Sequence, residues 1–367
     1  MTQTVLLGDI CSKVTSGGTP STKHYEYYNG NISWLRTQEV NFSNIYSTEK
    51  TITEAGLKSS SAKLIPKNSV IIAMYGATAG KSAINKIPLT TNQACCNLII
   101  DHTKADYRYI YYYLVNSYEK LLGAATGAAQ QNLGTKQIAG MTIELPGLDE
   151  QKKIVGILNS LDEKIELNHK MNETLEQMGQ ALFRHYFVDN VEAEGWGKIN
   201  LGQKIHPKRG KSLTSKNMKV GTIPVVSGGL QPAGLHSDAN TIAPVITVSA
   251  SGANAGFVAL WGDKIWSADS TFIDKTISDN IYFYYIFLKI NQDKIYGMQT
   301  GAAQPHIYPS HLELLEIPNT PDDIIFEFNS KITAIFEMIE KNKKEIQTLT
   351  TLRDTLLPRL ISGKIKI

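Results

Sequence analysis

Hydrophobic positions recur every three or four residues in two long stretches of the chain. In the first stretch the spacing covers residues 154–165 and resumes over 175–182, and in the second it covers 328–360. This spacing places apolar side chains on one face of a helix and is typical of helices that pair in a coiled coil. We therefore predict two long helices, beginning near residues 148 and 322, that pack against each other.

One polar residue interrupts each apolar face at the same place. Asn168 and Asn342 are separated by 174 positions, and each lies near the middle of its helix. A polar residue in such a position fixes the register of a coiled coil and lowers its stability. We expect an antiparallel pair in which the two Asn amides bond each other, because a parallel pair would bring the preceding segments to one end. In the alternative interpretation, each helix packs only on its own domain.

The segments before the two helices have similar patterns. In each half the sequence predicts a buried strand, then an aromatic-rich helix, then a loop of small and amide residues. These segments are 68–74, 106–122 and 123–134 in the first half, and 244–250, 278–296 and 297–309 in the second.

Short motifs also recur in the same order, which indicates that one fold occurs twice. The repeated motifs are Leu7-Gly8-Asp9-Ile10 with Leu201-Gly202-Gln203-Lys204-Ile205, Gly76-Ala77-Thr78-Ala79-Gly80 with Gly252-Ala253-Asn254-Ala255-Gly256, and Thr126-Gly127-Ala128-Ala129-Gln130 with Thr300-Gly301-Ala302-Ala303-Gln304. The predicted fold class is α+β: two similar globular domains of mixed strands and short helices, separated by two long helices in an antiparallel coiled coil, with an internal pseudo-two-fold axis. The predicted boundaries are 1–147 and 191–319 for the domains, and 148–190 and 320–367 for the helices.

Composition and charge narrow the class of protein. Hydrophobic residues make up 42% of the chain and charged residues 19%, which is typical of a globular protein, and the net charge is only +3. The charge is uneven, because no acid lies between Glu194 and Asp238 whereas seven basic residues do. Such a stretch can bind phosphate groups even when the whole chain is nearly neutral. The alternative is a solvated loop.

Nothing in the sequence points to secretion or to a membrane. The three cysteines, Cys11, Cys95 and Cys96, form neither a disulfide framework nor a metal-binding spacing. The first residues lack the basic and apolar regions of a signal peptide. Residues 239–262 carry no charge, but proline and glycine interrupt them, so two strands joined by a turn explain them better than a membrane helix. We expect a cytoplasmic protein.

One glycine-rich segment, 76–82, is similar to the Walker A loop of nucleotide-binding enzymes. It has three residues between its glycines where the motif needs four, and Tyr75 stands where the missing glycine would be. The repeated segment at Gly252 lacks the Lys and Ser that follow here. A tight turn between two strands is the better interpretation, with Lys81 available to a phosphate. A nucleotide-binding enzyme is kept as an alternative.

Other catalytic motifs are missing from the sequence. It contains no Asn/Asp-Pro-Pro-aromatic motif of adenine methylation and no glycine-rich cofactor loop after a strand. Glu150-Gln151-Lys152 offers only part of a nuclease site, and the eight His residues show no paired metal-ligand spacing. His306 and His311 are better explained as polar loop residues than as ligands. We therefore predict a binding protein without catalytic residues, metal or cofactor; a coiled-coil scaffold with no DNA role is a further alternative.

The glycine-bracketed loops carry side chains suited to reading base edges. Residues 130–132 and Gln304 are amides, and Gln and Asn side chains pair with adenine through two hydrogen bonds. Arg36 and Gln38 supply further hydrogen-bond donors. Amides on loops are also common in turns that bind nothing.

Further motifs occur in a fixed order along the chain. They are Leu7-Gly8-Asp9, Ser16-Gly17-Gly18-Thr19-Pro20, Trp34 to Val40, Gly76 to Lys81, Thr91-Asn92-Gln93, Thr126 to Leu133, and Leu145-Pro146 through Glu150-Gln151-Lys152-Lys153-Ile154 into Leu158, Leu161 and Asp162. With the duplication and both helices, this order resembles the specificity subunits of type I restriction-modification systems over essentially the whole chain. The second half departs from the pattern, with Ile223-Pro224-Val225-Val226 in place of the Trp-Leu-Arg block and Asp322-Asp323 in place of Glu-Gln.

The resemblance implies a division of labour. Each domain would be a target recognition domain for one half of a split, asymmetric sequence in double-stranded DNA. The paired helices would hold the domains apart and dock two methylation subunits, which carry S-adenosylmethionine, and through them ATP-driven restriction subunits. A helix of roughly 40 residues spans about 60 Å, whereas two readers on one DNA face must sit about 34 Å apart or a little more. A specificity module of another phage-defence or methylation system is a close alternative.

The candidate DNA-contacting residues come from the basic stretch, the loops and the resemblance. They are Thr19, Arg36, Gln38, Lys81, Gln130, Gln131, Asn132, Lys136, Lys208, Arg209, Lys211, Asn254, Gln304 and His306.

Overall fold

The computed structural model describes residues 2–124, 133–301 and 304–367, which form two compact units. Unit 1 contains the chain up to Ile165 together with Thr348–Ile367, and unit 2 contains Glu166–Gln347. Each unit is a mixed α/β domain that includes one part of each long helix.

The first half of the chain runs from a short edge strand to the end of the first long helix. Its strands and helices are β1 (Gln3–Leu6), β2 (Cys11–Ser16), β3 (Tyr28–Leu35), β4 (Ser43–Ile45), β5 (Lys50–Ile52), α1 (Glu54–Lys58), β6 (Val70–Ala73), β7 (Ser82–Asn85), β8 (Thr90–Thr91), β9 (Cys95–Ile100), α2 (Tyr107–Asn116), α3 (Tyr118–Ala124), α4 (Thr135–Ala139), β10 (Thr142–Leu145) and α5 (Leu148–Phe187). The sheets have the orders β2-β9-β6-β7-β4, β5-β3-β8 and β1-β10.

The second half repeats this sequence of elements. They are β11 (Lys198–Asn200), β12 (Lys208–Arg209), β13 (Ile223–Val226), β14 (Gly234–His236), β15 (Val245–Ser249), β16 (Val258–Trp261), β17 (Trp266–Ser267), β18 (Ser270–Ile273), α6 (Ile281–Ile290), α7 (Gln292–Gly297), α8 (Pro309–Glu313), β19 (Glu316–Pro318) and α9 (Asp322–Ile361). The sheets have the orders β12-β18-β15-β16, β14-β13-β17 and β11-β19.

The two units share one topology, which confirms that one fold occurs twice. The order β2-β9-β6-β7 corresponds to β12-β18-β15-β16, and β5-β3-β8 corresponds to β14-β13-β17. In both three-stranded sheets the central strand pairs antiparallel with one neighbour and parallel with the other. β6 and β15, at the two predicted buried strands, are buried along their whole length. β4 has no counterpart among the described residues of unit 2.

The repeated Leu-Gly motif has the same structural role in both units. The backbone N–H of Leu7 donates to the carbonyl of Met141 at 2.8 Å, and that of Leu201 donates to Leu315 at 2.8 Å. Both leucines are fully buried. The glycine after the leucine allows close packing, since a Cβ on Gly202 would lie 2.9 Å from the Cβ of Glu313. The motif is therefore explained by packing beside the two-stranded sheet.

Each predicted aromatic-rich helix is two helices in the structure, so the prediction of one continuous helix is wrong. The break falls at Ser117 between α2 and α3, and at Asn291, the equivalent position, between α6 and α7. The Nδ2 of Asn291 donates back to the carbonyl of Phe287 at 2.8 Å. Ser and Asn favour such local bonds to the backbone over helix continuation. The spacing of apolar residues continues across both breaks, so it does not reveal where the helix ends.

The long helices α5 and α9 are 40 residues each and begin where the spacing predicted. In unit 1, the Nη1 of Arg353 near the end of α9 lies 2.8 Å from the Oδ1 of Asp162 in α5. In unit 2, Phe183 near the end of α5 packs edge-on against Phe328 near the start of α9, with ring centroids 5.9 Å apart. The start of each helix therefore meets the end of the other, and the predicted antiparallel packing is confirmed.

Both Asn residues predicted on the apolar faces are buried, but they do not bond each other. The Nδ2 of Asn168 donates to the Oε2 of Glu345, and the Nδ2 of Asn342 donates to the Oδ1 of Asn172, both at 2.9 Å. The Oδ1 of Asn168 has no hydrogen-bond partner. The predicted amide pair is wrong, because each Asn instead meets a polar side chain three or four residues further along the facing helix, on the same face.

The hydrophobic core of each unit draws on both long helices. In unit 1, Ile154 of α5 and Leu360 of α9 belong to the same buried cluster as the residues of α2 and β6. In unit 2, Phe187 of α5 and Phe328 of α9 belong to the cluster around α6 and β15. Among the described residues, no helix is both long and apolar enough to span a membrane.

A partly buried polar network joins α2 to the two long helices in unit 1. The hydroxyl of Tyr112 donates to the Oδ2 of Asp162 at 2.6 Å, and Arg353 donates to the Oδ1 of the same carboxylate at 2.8 Å. Burial and the neighbouring carboxylate raise the pKa of Tyr112, so its hydroxyl stays protonated and can donate. The equivalent positions of unit 2 hold Ile286, Phe336 and Gly179. In unit 2, apolar packing therefore joins α6 to the two long helices.

We expect Arg353→Met to lower the free energy of unfolding by about 1–3 kcal/mol, because it removes one partner of a partly buried charged hydrogen bond. Urea unfolding followed by circular dichroism measures the change. Arg359→Met, at an exposed position of α9, is the control and should change stability by less than about 0.5 kcal/mol. The double variant Arg353→Met with Asp162→Leu should regain part of the loss. A double variant less stable than Arg353→Met would contradict this account.

Candidate nucleic-acid interface

Several candidate residues of unit 2 lie at one end of its four-stranded sheet. We call this the turn end of unit 2 and define it by the turn Gly252–Gly256, which joins β15 to β16. Both glycines have positive φ values, +79° and +90°, which suit a tight turn. Asp269, just before β18, and Gly210, just after β12, lie at the same end because β15, β18 and β12 are paired antiparallel. The predicted turn between two strands is confirmed.

The second glycine-rich loop of unit 2 is bonded to this turn. The backbone N–H of Gly252 donates to the carbonyl of Pro305 at 3.1 Å, and residues Ser251 and His306 form an isolated β-bridge. The structure thus brings together the segments that carry Asn254, Gln304 and His306. Gln304 is exposed, Asn254 is half-buried, and the half-buried ring of His306 stacks on Tyr308 with centroids 6.0 Å apart. His311, in α8, packs edge-on against Tyr308.

An acidic residue that the sequence did not single out holds the turn end together. One carboxylate oxygen of Asp269 accepts from Arg209, and the other accepts from the hydroxyl of Ser251. Asp269 occupies the position of Gln93 in unit 1, because the residue before it donates to β13 as the residue before Gln93 donates to β3. An alignment of the two halves on β3 and β13 would have identified Asp269 as a candidate DNA-contacting residue.

The other two basic candidates of this stretch are placed differently. Lys211 is exposed beside Arg209, and its carbonyl accepts from the indole N–H of Trp266 at 2.8 Å. Lys208 is also exposed, but its Nζ lies 3.3 Å from the Oγ1 of Thr276, beyond the opposite end of β18. The structure therefore gathers Arg209 and Lys211 at the turn end and directs Lys208 away from it.

Unit 1 has an equivalent turn end, at the turn Gly76–Gly80 between β6 and β7. Gly76 and Gly80 have φ values of +86° and +79°, like their counterparts in unit 2. The Nζ of Lys81 donates to Asn41 at 2.7 Å and lies 5.8 Å from the ring centroid of Phe42. At the same end, the exposed Thr19 donates to the side chain of Gln93.

Arg36 and Gln38 follow β3, next to this end. The guanidinium of Arg36 forms ion pairs with Glu49 and Glu39, and its backbone N–H also donates to Glu39 at 2.9 Å. Its Nε is buried without a hydrogen-bond partner. Gln38 is exposed. Arg36 is therefore already paired with carboxylates, whereas Gln38 has a side chain that faces solvent.

Helix α4 carries the exposed Lys136 and begins next to the turn end of unit 1. The backbone N–H of Leu133, just before this helix, donates to the carbonyl of Met74 at 2.8 Å. The three amides Gln130, Gln131 and Asn132 lie outside the described residues.

The turn Gly76–Gly80 does not have the geometry of a phosphate-binding loop. The backbone N–H groups of Ala79, Gly80 and Lys81 all donate to carbonyls of the same hairpin. A Walker A loop directs such N–H groups to phosphates and leads into a helix, whereas this turn leads into strand β7. The nucleotide-binding alternative thus loses the feature that suggested it.

Within the described residues, neither a metal-binding cluster nor a reactive cysteine is found. No group of His, Cys, Asp and Glu side chains within the described ranges is arranged to hold a metal ion. The three cysteines are free, and burial raises the pKa of Cys96 to about 12, so that its thiol stays protonated.

Comparison with known proteins agrees with this geometry. The family described as "Type I restriction modification DNA specificity domain" matches residues 2–177 and 193–351. The specificity subunit of the type I restriction enzyme MjaIX of Methanocaldococcus jannaschii is 28% identical, over 97% of this chain and 91% of its own length. That of EcoR124I/EcoR124II of Escherichia coli is 35% identical over 42% of this chain and 40% of its own length.

The fold also matches a solved structure. The crystal structure of a type I restriction-modification S subunit from M. genitalium has a TM-score of 0.65 and 18% sequence identity, over 98% of this chain and 96% of that one. The two family matches fall on the two copies of the fold and together cover most of the chain. This chain therefore belongs to the type I restriction-modification DNA specificity family, as a non-catalytic specificity subunit that recognises the DNA target within a restriction-modification complex.

Proposed function

We propose that each unit reads one half of a split, asymmetric target in double-stranded DNA, and that its turn end faces the DNA. The two proposed target recognition domains comprise residues 1–147 and 191–319. In this proposal the rigid hairpin turn and the loops bonded to it present side chains to phosphates and base edges.

The observation that carries the proposal is the contrast between the two turn ends. Each turn end lies at the equivalent end of the equivalent sheet in its own unit, and the glycines of the two turns have similar φ values. Their side chains differ, however, with Thr19 and Lys81 in unit 1, and Arg209, Asn254 and Gln304 in unit 2. Two half-sites of different sequence require different side chains, and here those side chains are presented on the same backbone arrangement.

We also propose that the long helices set the distance between the half-sites and dock two methylation subunits. Each 40-residue helix is about 60 Å long, enough to separate readers that must be about 34 Å apart or a little more. In this proposal S-adenosylmethionine is bound by the methylation subunits, and restriction subunits join through them. The chain itself then needs no cofactor, and it acts in the cytoplasm where the DNA is.

We expect the double variant Arg209→Ala with Lys211→Ala to weaken binding to all DNA sequences. The slope of log K against log salt should fall in magnitude by about two, because each lost phosphate contact leaves one set of counterions unreleased. Fluorescence anisotropy with a target duplex and a scrambled duplex, each at several salt concentrations, measures both effects.

The control for this variant uses two lysines at the opposite end of the same sheet. Lys264 and Lys275 are exposed and follow the far ends of β16 and β18. Their double Ala variant should keep the original salt slope. Lys208→Ala tests whether the third basic residue of the stretch adds a contact from its position beside Thr276. Equal slopes for the Arg209/Lys211 variant and the control would refute phosphate binding at this turn end.

We expect Asp269→Asn to raise the affinity for unrelated DNA on the order of tenfold. The carboxylate repels phosphate and pairs with Arg209, so its neutralisation frees one cation and removes one repulsive charge. The ratio of target affinity to scrambled affinity should fall. The same anisotropy assay tests this, with Asp263→Asn, an exposed acid beyond the far end of β16, as the control. An unchanged ratio would show that Asp269 has no part in discrimination.

We expect the two half-sites to be exchanged independently. A chain with a different domain ahead of residue 148 should change one half of the methylated sequence and leave the other half as it was, since each turn end belongs to one unit. Methylome sequencing of a host that expresses the chimera with the methylation subunits reads out both halves. Simultaneous change of both halves would contradict modular reading.

A further inference from the structure

One charged feature of unit 2 extends beyond its turn end. The stretch without acids between Glu194 and Asp238 carries seven basic residues. Some of them form ion pairs with acids from other parts of unit 2, namely Lys198, Lys204 and Arg209. Three others are exposed and have no acidic partner among the described residues, namely Lys211, Lys216 and Lys219. These three lysines lie between β12 and β13, in a segment that we call the basic loop and define as residues 211–222.

The basic loop is bonded to the three-stranded sheet of unit 2 at two points. The carbonyl of Lys211 accepts from the indole N–H of Trp266 in β17 at 2.8 Å. The backbone N–H of Lys219 donates to the Nδ1 of the buried His236 in β14 at 2.9 Å. The rings of His236 and Trp266 pack edge-on, with centroids 5.1 Å apart. One pair of packed rings therefore anchors the loop on both sides of the segment that carries Lys216.

The basic loop also lies close against β14. A Cβ on Gly221 would collide with the carbonyl of His236, and a Cβ on Gly234 would lie 2.8 Å from the Sδ of Met218. Glycine at these two positions lets the loop approach the strand. Because β14 is an edge strand of its sheet, the basic loop lies on one side of the unit.

Lys219 is set back from the turn end by about the depth of a DNA groove. His236, which accepts its backbone N–H, pairs with Ile223 at the start of β13, whereas Val226 at the other end of β13 accepts from the residue before Asp269. Three residues of a strand span roughly 10 Å. The major groove of B-DNA is about 8.5 Å deep, so its phosphates lie about that far above the base edges. When the turn end reads base edges, the basic loop is therefore at the height of the phosphates that border the groove.

The equivalent loop of unit 1 has a different charge. It runs between β2 and β3, and its start is anchored in the same way, since the indole N–H of Trp34 donates to the carbonyl of Gly18 at 3.0 Å. This loop contains one lysine, Lys23, and one acid, Glu26, whose carboxylate lies 2.9 Å from the Nδ1 of His24. The lysine and the acid balance each other, so the excess of cations is a property of unit 2.

We propose that the basic loop binds the phosphate backbone of one DNA strand at the rim of the major groove that unit 2 reads. Lys216 and Lys219 supply the cations, in addition to Arg209 and Lys211 at the turn end. This inference rests on the proposed function, because the turn end must enter the groove for the loop to meet its rim. Phosphate contacts carry no base information, so the loop adds affinity and leaves the preferred sequence unchanged.

The first experiment compares the wild-type chain with the double variant Lys216→Ala and Lys219→Ala, by fluorescence anisotropy at several salt concentrations. We expect the slope of log K against log salt to fall in magnitude by about two, because two phosphate contacts are lost. Affinities for the target duplex and for a scrambled duplex should fall by the same factor, on the order of tenfold near physiological salt.

Two control variants separate the charge of the loop from other effects. Lys216→Arg with Lys219→Arg keeps both charges and should keep the wild-type slope. Lys23→Ala removes the one lysine of the equivalent loop in unit 1 and should also keep it.

The second experiment locates the contact on the DNA. In each of a set of target duplexes, neutral methylphosphonate linkages replace three neighbouring phosphates of one strand. We expect one such group, on one strand at the half-site of unit 2, to weaken binding by the wild type but not by the double Ala variant, because the partner of those phosphates is already lost in the variant. All other groups should weaken binding by both chains equally.

An unchanged salt slope in the double Ala variant would overturn the proposal, and the basic loop would then be only a solvated loop. Equal weakening of both chains by every group of neutral linkages would overturn it as well. A wild type that binds target and scrambled duplexes equally would contradict the proposed function itself. If the wild type prefers its target and the slope is unchanged, only the phosphate contact of the basic loop is wrong.

Discussion

Each unit closes its hydrophobic core with residues from both long helices. Unit 1 needs Leu357 and Leu360 from the end of α9, and unit 2 needs Phe183 and Phe187 from the end of α5. An amphipathic helix must cover its apolar face, and each long helix divides that requirement between two cores. The antiparallel register is therefore fixed by both cores as well as by the polar pairs at Asn168 and Asn342.

The sequence was informative wherever a pattern repeats often enough to be recognised. Two 40-residue helices contain many turns of the same apolar spacing, and their starts and antiparallel packing were predicted correctly. The turns at Gly76 and Gly252 were predicted because a tight turn needs glycine conformations that other residues rarely adopt. The pairing of strands of two to eight residues across the chain was beyond reach, because the partners are distant in sequence and the strands are too short to identify them.

The candidate site was only partly predictable for a related reason. Sequence composition drew attention to bases and amides, and Arg209, Asn254 and Gln304 are indeed neighbours at one turn end. The carboxylates that pair with the arginines were missed, since Glu49 and Asp269 become relevant only through contacts that the fold creates. In the free protein, Arg36 and Arg209 are thus already paired with acids.

The two tryptophans of the turn ends show what has been kept between the two copies. Trp34 lies on β3 and donates to the carbonyl of Gly18 at 3.0 Å, whereas Trp266 lies on β17 and donates to Lys211. The acceptor carbonyls are equivalent, but β17 corresponds to β8, not to β3. Divergence has thus preserved a hydrogen bond while moving its donor to an adjacent strand. An alignment that compares residues column by column would therefore record a lost tryptophan at this position. In a chimera of the two copies, a junction placed between the donor strand and the acceptor would separate the tryptophan from the carbonyl that it bonds.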